Sequence, residues 1–206
     1  MRYSTILSSL ATLCAVSALP TSIFLPVGNL PSQPTTGTQV LKDLNIIDGA
    51  ITILIGTLNS LNFSTDNAGN DIGNVQKVLK ETIDLQTFTQ TGRLDAQGLR
   101  ANLSSADSLA IVNKLTNDIT PHLRTATDLL SKAKSSSILG TTLGGLLGSI
   151  LAPLGLVNYI DLLRTDMAGL ITAILPFIDS TVQGQALSEA DVINNLLNAS
   201  FNLYSN

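Results

Sequence analysis

Apolar residues recur at intervals of three and four along most of this chain, and the breaks fall where Gly, Pro, Asn and Asp gather. From Val40 onward, Leu41, Leu44, Ile47, Ile51, Leu54 or Ile55, Leu58 and Leu61 mark one face at the helical period. The stretch "LNFSTDNAGN" closes that helix with turn chemistry. A second stripe, Ile72, Val75, Val78 or Leu79, Ile83 and then Leu85 or Phe88, predicts a helix from about Asp71 to Thr89, ended by "QTGRLDAQG". A third helix starts at "SSAD", with Ser104 as the cap and Asp107 three residues later. Leu109, Val112, Leu115, Ile119, Leu123, Ala126, Leu129 or Leu130 and Ala133 continue it. Pro121 lies inside that stripe and predicts a kink or a break after Thr120, because proline cannot donate to the carbonyl four residues back. Ile160, Leu163, Met167, Leu170 or Ile171 and Ile174 form the next stripe, with Asp161, Arg164 and Asp166 assigned to water and Pro176 ending it. "SEAD", beginning at Ser188, reads as the cap of a short terminal helix packed through Val192, Leu196 and Leu197. The pattern predicts an all-α fold: a bundle of about five to six amphipathic helices in a single helical domain over 40–203, with a buried glycine-rich apolar segment.

That segment, "SSSILGTTLGGLLGSILAPLGLVNYI", carries no charge, and Ile138 to Val157 alone would match the roughly 20 apolar residues of a membrane span. Gly140, Gly144 and Gly148 would give such a helix a close-contact face. Against a span stand the glycines, each costing about 1 kcal/mol in a helix interior, and the interruption "LAPLG". The alternatives are a core helix or hairpin, or a core segment that also lines a lipid pocket. In the last case Leu143, Leu147, Ile150 and Leu151 would wall the space that the glycines leave.

The ends of the chain read differently. Residues 1–18, "MRYSTILSSLATLCAVSA", have one early positive charge, an apolar core and small residues at Val16 and Ala18, the pattern of a cleaved secretory signal. Its removal would take away the single cysteine, Cys14, so that packing and not disulfides must hold the exported protein. Residues 19–39 form a Pro/Ser/Thr-rich leader containing Pro20, Pro26, Pro31 and Pro34. Sequons at Asn62, Asn102 and Asn198 fit secretion as a glycoprotein, although Asn198 falls inside a predicted helix.

Composition narrows the chemistry. With 44% hydrophobic and 13% charged residues and a formal charge of -4, the chain lacks the basic footprint of a nucleic-acid binder. One histidine, His122, gives no metal-ligand set, and "GTTLGG" lacks the Lys of a phosphate loop. No nucleophile elbow is present. The reading is a protein that is not an enzyme and takes no cofactor or metal.

Two stretches carry a resemblance: "VLKDLNIIDGAITILIGTLNSLN", an opening helix with Asp43 and Asp48 among aliphatics, and "LSSADSLAIVNKLTNDITPHLRTATDLLSKAKS". Over about residues 40–180 the chain resembles the fungal hydrophobic surface-binding protein A family, which includes the cell-wall galactomannoproteins. The resemblance implies a secreted, extracellular or wall-associated helical protein. Such a protein adsorbs to hydrophobic surfaces, recruits a secreted hydrolase there, meets cell-wall polysaccharide, or holds a fatty acid or other apolar ligand in a helical cavity. The residues matching the family's apolar pattern are Leu44, Ile47, Ile51, Leu54, Val75, Leu79, Ile83, Leu109, Val112, Leu115, Leu129, Leu170 and Ile174. A structural wall mannoprotein without a specific ligand, and a membrane-anchored protein, are the alternatives.

Overall fold

A computed structural model of the chain describes residues 34–60, 68–135 and 156–205. The helices are α1 (Gly37–Ser60), α2 (Ala68–Ala96), α3 (Ser105–Lys114), α4 (Thr120–Ser135), α5 (Leu156–Ile174) and α6 (Ser180–Ser205). A π turn, Leu115–Ile119, joins α3 to α4, so these two pieces act as one rod, and the bundle has five rods. Among the described residues the only sheet-type pairing is an isolated bridge between Thr35 and Leu99. The fold class read from the pattern is therefore the one observed.

The rods form a ring in the order α1, α2, α5, α6, α3/α4 and back to α1. Each seam carries a polar tie, and the ties give the relative directions. Thr57 Oγ1 donates to Glu81 Oε1 (2.7 Å) and Gln39 Nε2 to Asp95 Oδ2 (3.3 Å), so α1 and α2 are antiparallel. Gln86 Nε2 donates to Asp166 Oδ2 (2.7 Å) between α2 and α5. Arg164 Nη1 donates to Asn198 Oδ1 (3.0 Å) between α5 and α6. Thr120 Oγ1 donates to Glu189 Oε2 (2.9 Å) and Tyr204 Oη to the Leu130 carbonyl (3.0 Å), which makes α4 and α6 parallel. Asp48 closes the ring, accepting from Lys114 Nζ and His122 Nδ1, each at 2.7 Å.

The apolar faces point inward. Leu44, Ile47, Ile51, Leu85, Ile111, Ile119, Met167, Leu170 and Ile193 are fully buried. Burial of such a side chain contributes about 1.5–3 kcal/mol.

Several expectations from the pattern are corrected. The helix α2 continues seven residues beyond Thr89, to Ala96. Gly92 does not break it; this glycine packs against side chains of α1 and α5. A Cβ there would sit 3.4 Å from Asp43 Cβ and 3.5 Å from Ile47 Cδ1. The buried face of α2 is partly polar, with Thr82, Gln86 and Thr89 inside and Phe88 exposed. Asp166 is buried, not solvated; it accepts from Gln86, and Arg93 Nε lies 3.0 Å from its Oδ1. Near Pro121 the rod neither breaks nor stops. The preceding turn widens to the π form, and the Thr120 N–H reaches the Leu115 carbonyl. At the C-terminus the true start of α6 is Asp179, whose Oδ1 accepts from Thr181 N (2.9 Å) and Thr181 Oγ1 (2.6 Å). "SEAD" lies inside that 26-residue helix. At Ser104 the expected cap is present, its oxygen accepting from Asp107 N at 3.0 Å.

Truncation of Ile47 to Ala is expected to lower unfolding free energy by about 2–5 kcal/mol, checked by urea denaturation. A second prediction concerns Asp43, which is only 5% exposed. Burial, then the neighbouring Asp95 carboxylate, pushes its carboxyl up to about 6, against lowering contributions from Gln39 and Lys42. The native state therefore keeps a proton that the unfolded chain loses near pH 4. Stability from this group is full below pH 4, falls between pH 4 and 6, and is lost above 6, a difference of about 2–3 kcal/mol. Asp43→Asn is expected to match wild type near pH 4 and exceed it near pH 7 in the same assay.

Candidate functional site

Among the described residues, side chains of all five rods converge on the middle of the ring and leave a cavity of about 30 Å3 between them. Every rod contributes to its wall: Ile51 and Leu54 from α1, Thr82 and Leu85 from α2, Leu123, Ala126, Thr127 and Leu130 from α4, Ile160 and Leu163 from α5, Leu197 and Ser200 from α6. The spacing of three and four within each helix is what aims these pairs at one point. A smaller void of about 10 Å3 lies between Ile111, Leu115, Ile171, Ile174, Leu175, Ile178 and Ala186.

The main wall is hydrocarbon except for three hydroxyls, each of which returns its proton to its own helix. Thr82 Oγ1 donates to the Val78 carbonyl (2.8 Å), Thr127 Oγ1 to Leu123 (2.9 Å) and Ser200 Oγ to Leu196 (3.1 Å). This back-bonding lets a hydroxyl sit in an apolar interior without stranding a donor. Thr127 Oγ1 and Ser200 Oγ also face each other at 2.9 Å. Two protons serve three contacts there, so one bond in the group is always interchangeable. Tyr204, packed against the same end of α4, has its hydroxyl pushed up to about 12 by burial. It stays neutral at ordinary pH.

Charge is kept at the seams. Burial alone would raise Asp48, but the hydrogen bonds from Lys114 and His122 outweigh it and hold the carboxyl below its usual range. Arg164 is tied to Asp161 and Asn198 and lies over the Phe201 ring, 4.8 Å from its centroid. Among the described residues no group of three or more His, Cys, Asp or Glu side chains could hold a metal ion. No described helix is long and apolar enough to cross a membrane.

The candidates named from sequence are distributed as follows. Ile51 and Leu54 line the main cavity, and Leu115 and Ile174 line the smaller void. Leu44, Ile47, Val112 and Leu170 are buried core, while Leu79 and Leu129 pack half-buried against it. Ile83 is half-buried on α2, and Leu109 is 47% exposed. Val75 falls on α2, but its side chain is outside the described residues, as are Leu143, Leu147, Ile150, Leu151 and Asn62. Sequence reasoning did not name as site residues Thr82, Leu85, Leu123, Ala126, Thr127, Leu130, Ile160, Leu163, Leu197 and Ser200. Their signal was present, since Thr82 and Ser200 continue the stripes 78–82–85 and 193–197–200, but a hydroxyl on a stripe does not register as apolar.

The same helical fold is found in solved structures of other proteins. The described architecture matches AFMP4P in complex with palmitic acid, with a TM-score of 0.55 and 17% identity, covering 82% of this chain and 99% of that one. It also matches ligand binding domain 1 of the Penicillium marneffei MP1 protein, complexed with arachidonic acids, at a TM-score of 0.63 and 15% identity, covering 82% and 99%. Domain 2 of the same protein, complexed with multiple arachidonic acids, gives 0.62 and 14%, covering 82% and 94%. The sequence matches no family model and no curated protein. At these identities the likeness is one of fold.

The sequons differ in setting. Asn102 is exposed in the loop between α2 and α3, whereas Asn198 is within α6 with its carbonyl oxygen held by Arg164. Peptide mapping of secreted protein is expected to find glycan at Asn102 and a bare Asn198. Glycan at Asn198 with none at Asn102 would reverse this assignment.

Proposed function

We propose that this chain is a secreted, non-catalytic binding protein that takes a fatty acid or similar apolar chain into the middle of its helical ring. The observation that carries the reading is the cavity on the ring axis, walled by all five rods. Two further facts support it. Proteins of the same fold are held in complex with palmitic and arachidonic acids. The opening residues have the composition of a secretory signal, which fits an extracellular or wall location.

A cavity of about 30 Å3 holds a water or two, not an acyl chain. Uptake therefore requires leucine and isoleucine side chains to move aside and the rods to part. Such rearrangement is feasible because the wall is hydrocarbon: a ligand methylene replaces a side-chain methylene, and each one removed from water contributes about 0.8 kcal/mol. The cost falls on packing density and on whichever seam opens.

A second reading is adsorption to hydrophobic surfaces. It is favoured by the large apolar side chains left in water, among them Ile53 at 61% exposed, with Leu94 and Leu187. The two readings separate under mutation. Ala126 lines the cavity, and Ala126→Leu places a branched side chain in it. Titration of mature protein with a fluorescent fatty acid at pH 5 is expected to show at least a tenfold loss of affinity in Ala126→Leu, with helical circular dichroism retained. Ile53→Ser is expected to bind as wild type does. Loss in Ile53→Ser with none in Ala126→Leu would move the function to the outer surface.

A further inference from the structure

The interior of the ring has hydroxyls but no charge, and this restricts what head group can enter it. None of the residues lining the cavity is ionisable. Several charged groups on the rods are tied to one another outside it: Asp48 to Lys114 and His122, Lys80 to Asp84, Arg93 to Asp166, and Arg164 to Asp161. Glu81, next to the cavity-lining Thr82, accepts from Thr57, and its second oxygen is buried without a partner, so the nearest ionisable group on α2 is itself acidic. Tyr204, on the α6 end, is held neutral by burial.

Lys42, Lys77, Arg124 and Lys132 on the same rods are exposed, and the side chain of Lys134 is outside the described residues. A carboxylate drawn into this space would give up its hydration and meet no cation among the residues that line it, a penalty of several kcal/mol per ion in protein interiors. The polar groups on the wall are the Thr82, Thr127 and Ser200 hydroxyls, and at the Thr127–Ser200 pair a hydroxyl that lets go of its helix carbonyl can donate instead to one acceptor oxygen of an uncharged head group.

We propose that the ring interior selects electrically neutral lipids: alcohols, esters, and carboxylic acids in their protonated form. This rests on the reading of the ring as a lipid-binding interior and sharpens it by naming the ligand's charge state. A fatty acid is then bound at acidic pH and released as the medium approaches neutrality, because only its neutral fraction is competent to bind. An alcohol of the same length shows no such dependence.

The test is calorimetric titration of the mature protein with decan-1-ol, decanoic acid and decyl sulfate at pH 5.0 and 7.5. Decan-1-ol is expected to bind with the same Kd at both values. A simple carboxylic acid titrates near pH 4–5, so its neutral fraction falls roughly 200-fold over this interval, and the apparent Kd of decanoic acid is expected to rise by about that factor. Decyl sulfate, anionic at both values, is expected to bind at least tenfold more weakly than the alcohol. The proposal is overturned if decanoic acid weakens by tenfold or less, if decyl sulfate binds within tenfold of decan-1-ol, or if decanoic acid binds and the alcohol does not. Absence of binding by both decan-1-ol and decanoic acid at both values would instead overturn the lipid-binding reading itself.

Discussion

The structure depends on a packing constraint: five rods arranged in a ring leave an axis that none of the described backbone occupies. Side chains from every rod must converge there, and they must be apolar or able to satisfy their own polar atoms. Leu54, Leu85, Leu163 and Leu197 meet that demand from four different helices. Thr82, Thr127 and Ser200 meet it by returning their protons to carbonyls four residues back. A bundle built this way has a middle whose described lining is uncharged and can be deformed without exposing an unpaired polar group. That property links the fold to its proposed use.

The polar ties at the seams complement this interior. Asp48 with Lys114 and His122, Asp166 with Gln86 and Arg93, and Arg164 with Asn198 each fix the register of two neighbouring rods. Breaking one partner of such a buried or half-buried group costs more than an exposed ion pair contributes. The π turn at Leu115–Ile119 belongs to the same arrangement, since it lies between Lys114 and His122, the two residues that reach Asp48. Specificity of assembly is thus carried by the seams, and adaptability by the middle.

Much of this was legible in the residue pattern. The inward faces of α1 and α5, from Leu44 through Leu58 and from Ile160 through Ile174, follow directly from apolar spacing, as does the cap at Ser104. What failed did so for identifiable reasons. Gly92 reads as a breaker until Asp43 and Ile47 are seen pressed against it. Asp166 reads as solvated because its partners lie on α2, 73 and 80 residues away in sequence. The "SEAD" cap signal was outcompeted by Asp179, which caps the same helix earlier. At the cavity, threonine and serine on the stripes were passed over because local pattern cannot tell a hydroxyl bonded to its own helix from one facing water. The glycine-rich run from Ile138 to Val157, which most invited a functional reading, lies outside the described residues but for Leu156 and Val157 at the start of α5.

The central claim is that the acyl chain lies on the ring axis. It is tested most directly by nuclear Overhauser contacts between methyl-labelled protein and bound decan-1-ol. The account predicts contacts from the methyls of Ile51, Leu85, Leu163 and Leu197, one on each of four rods, and none from Ile53, Leu94 or Leu187. Contacts confined to the latter three would place the ligand on the outside and contradict it.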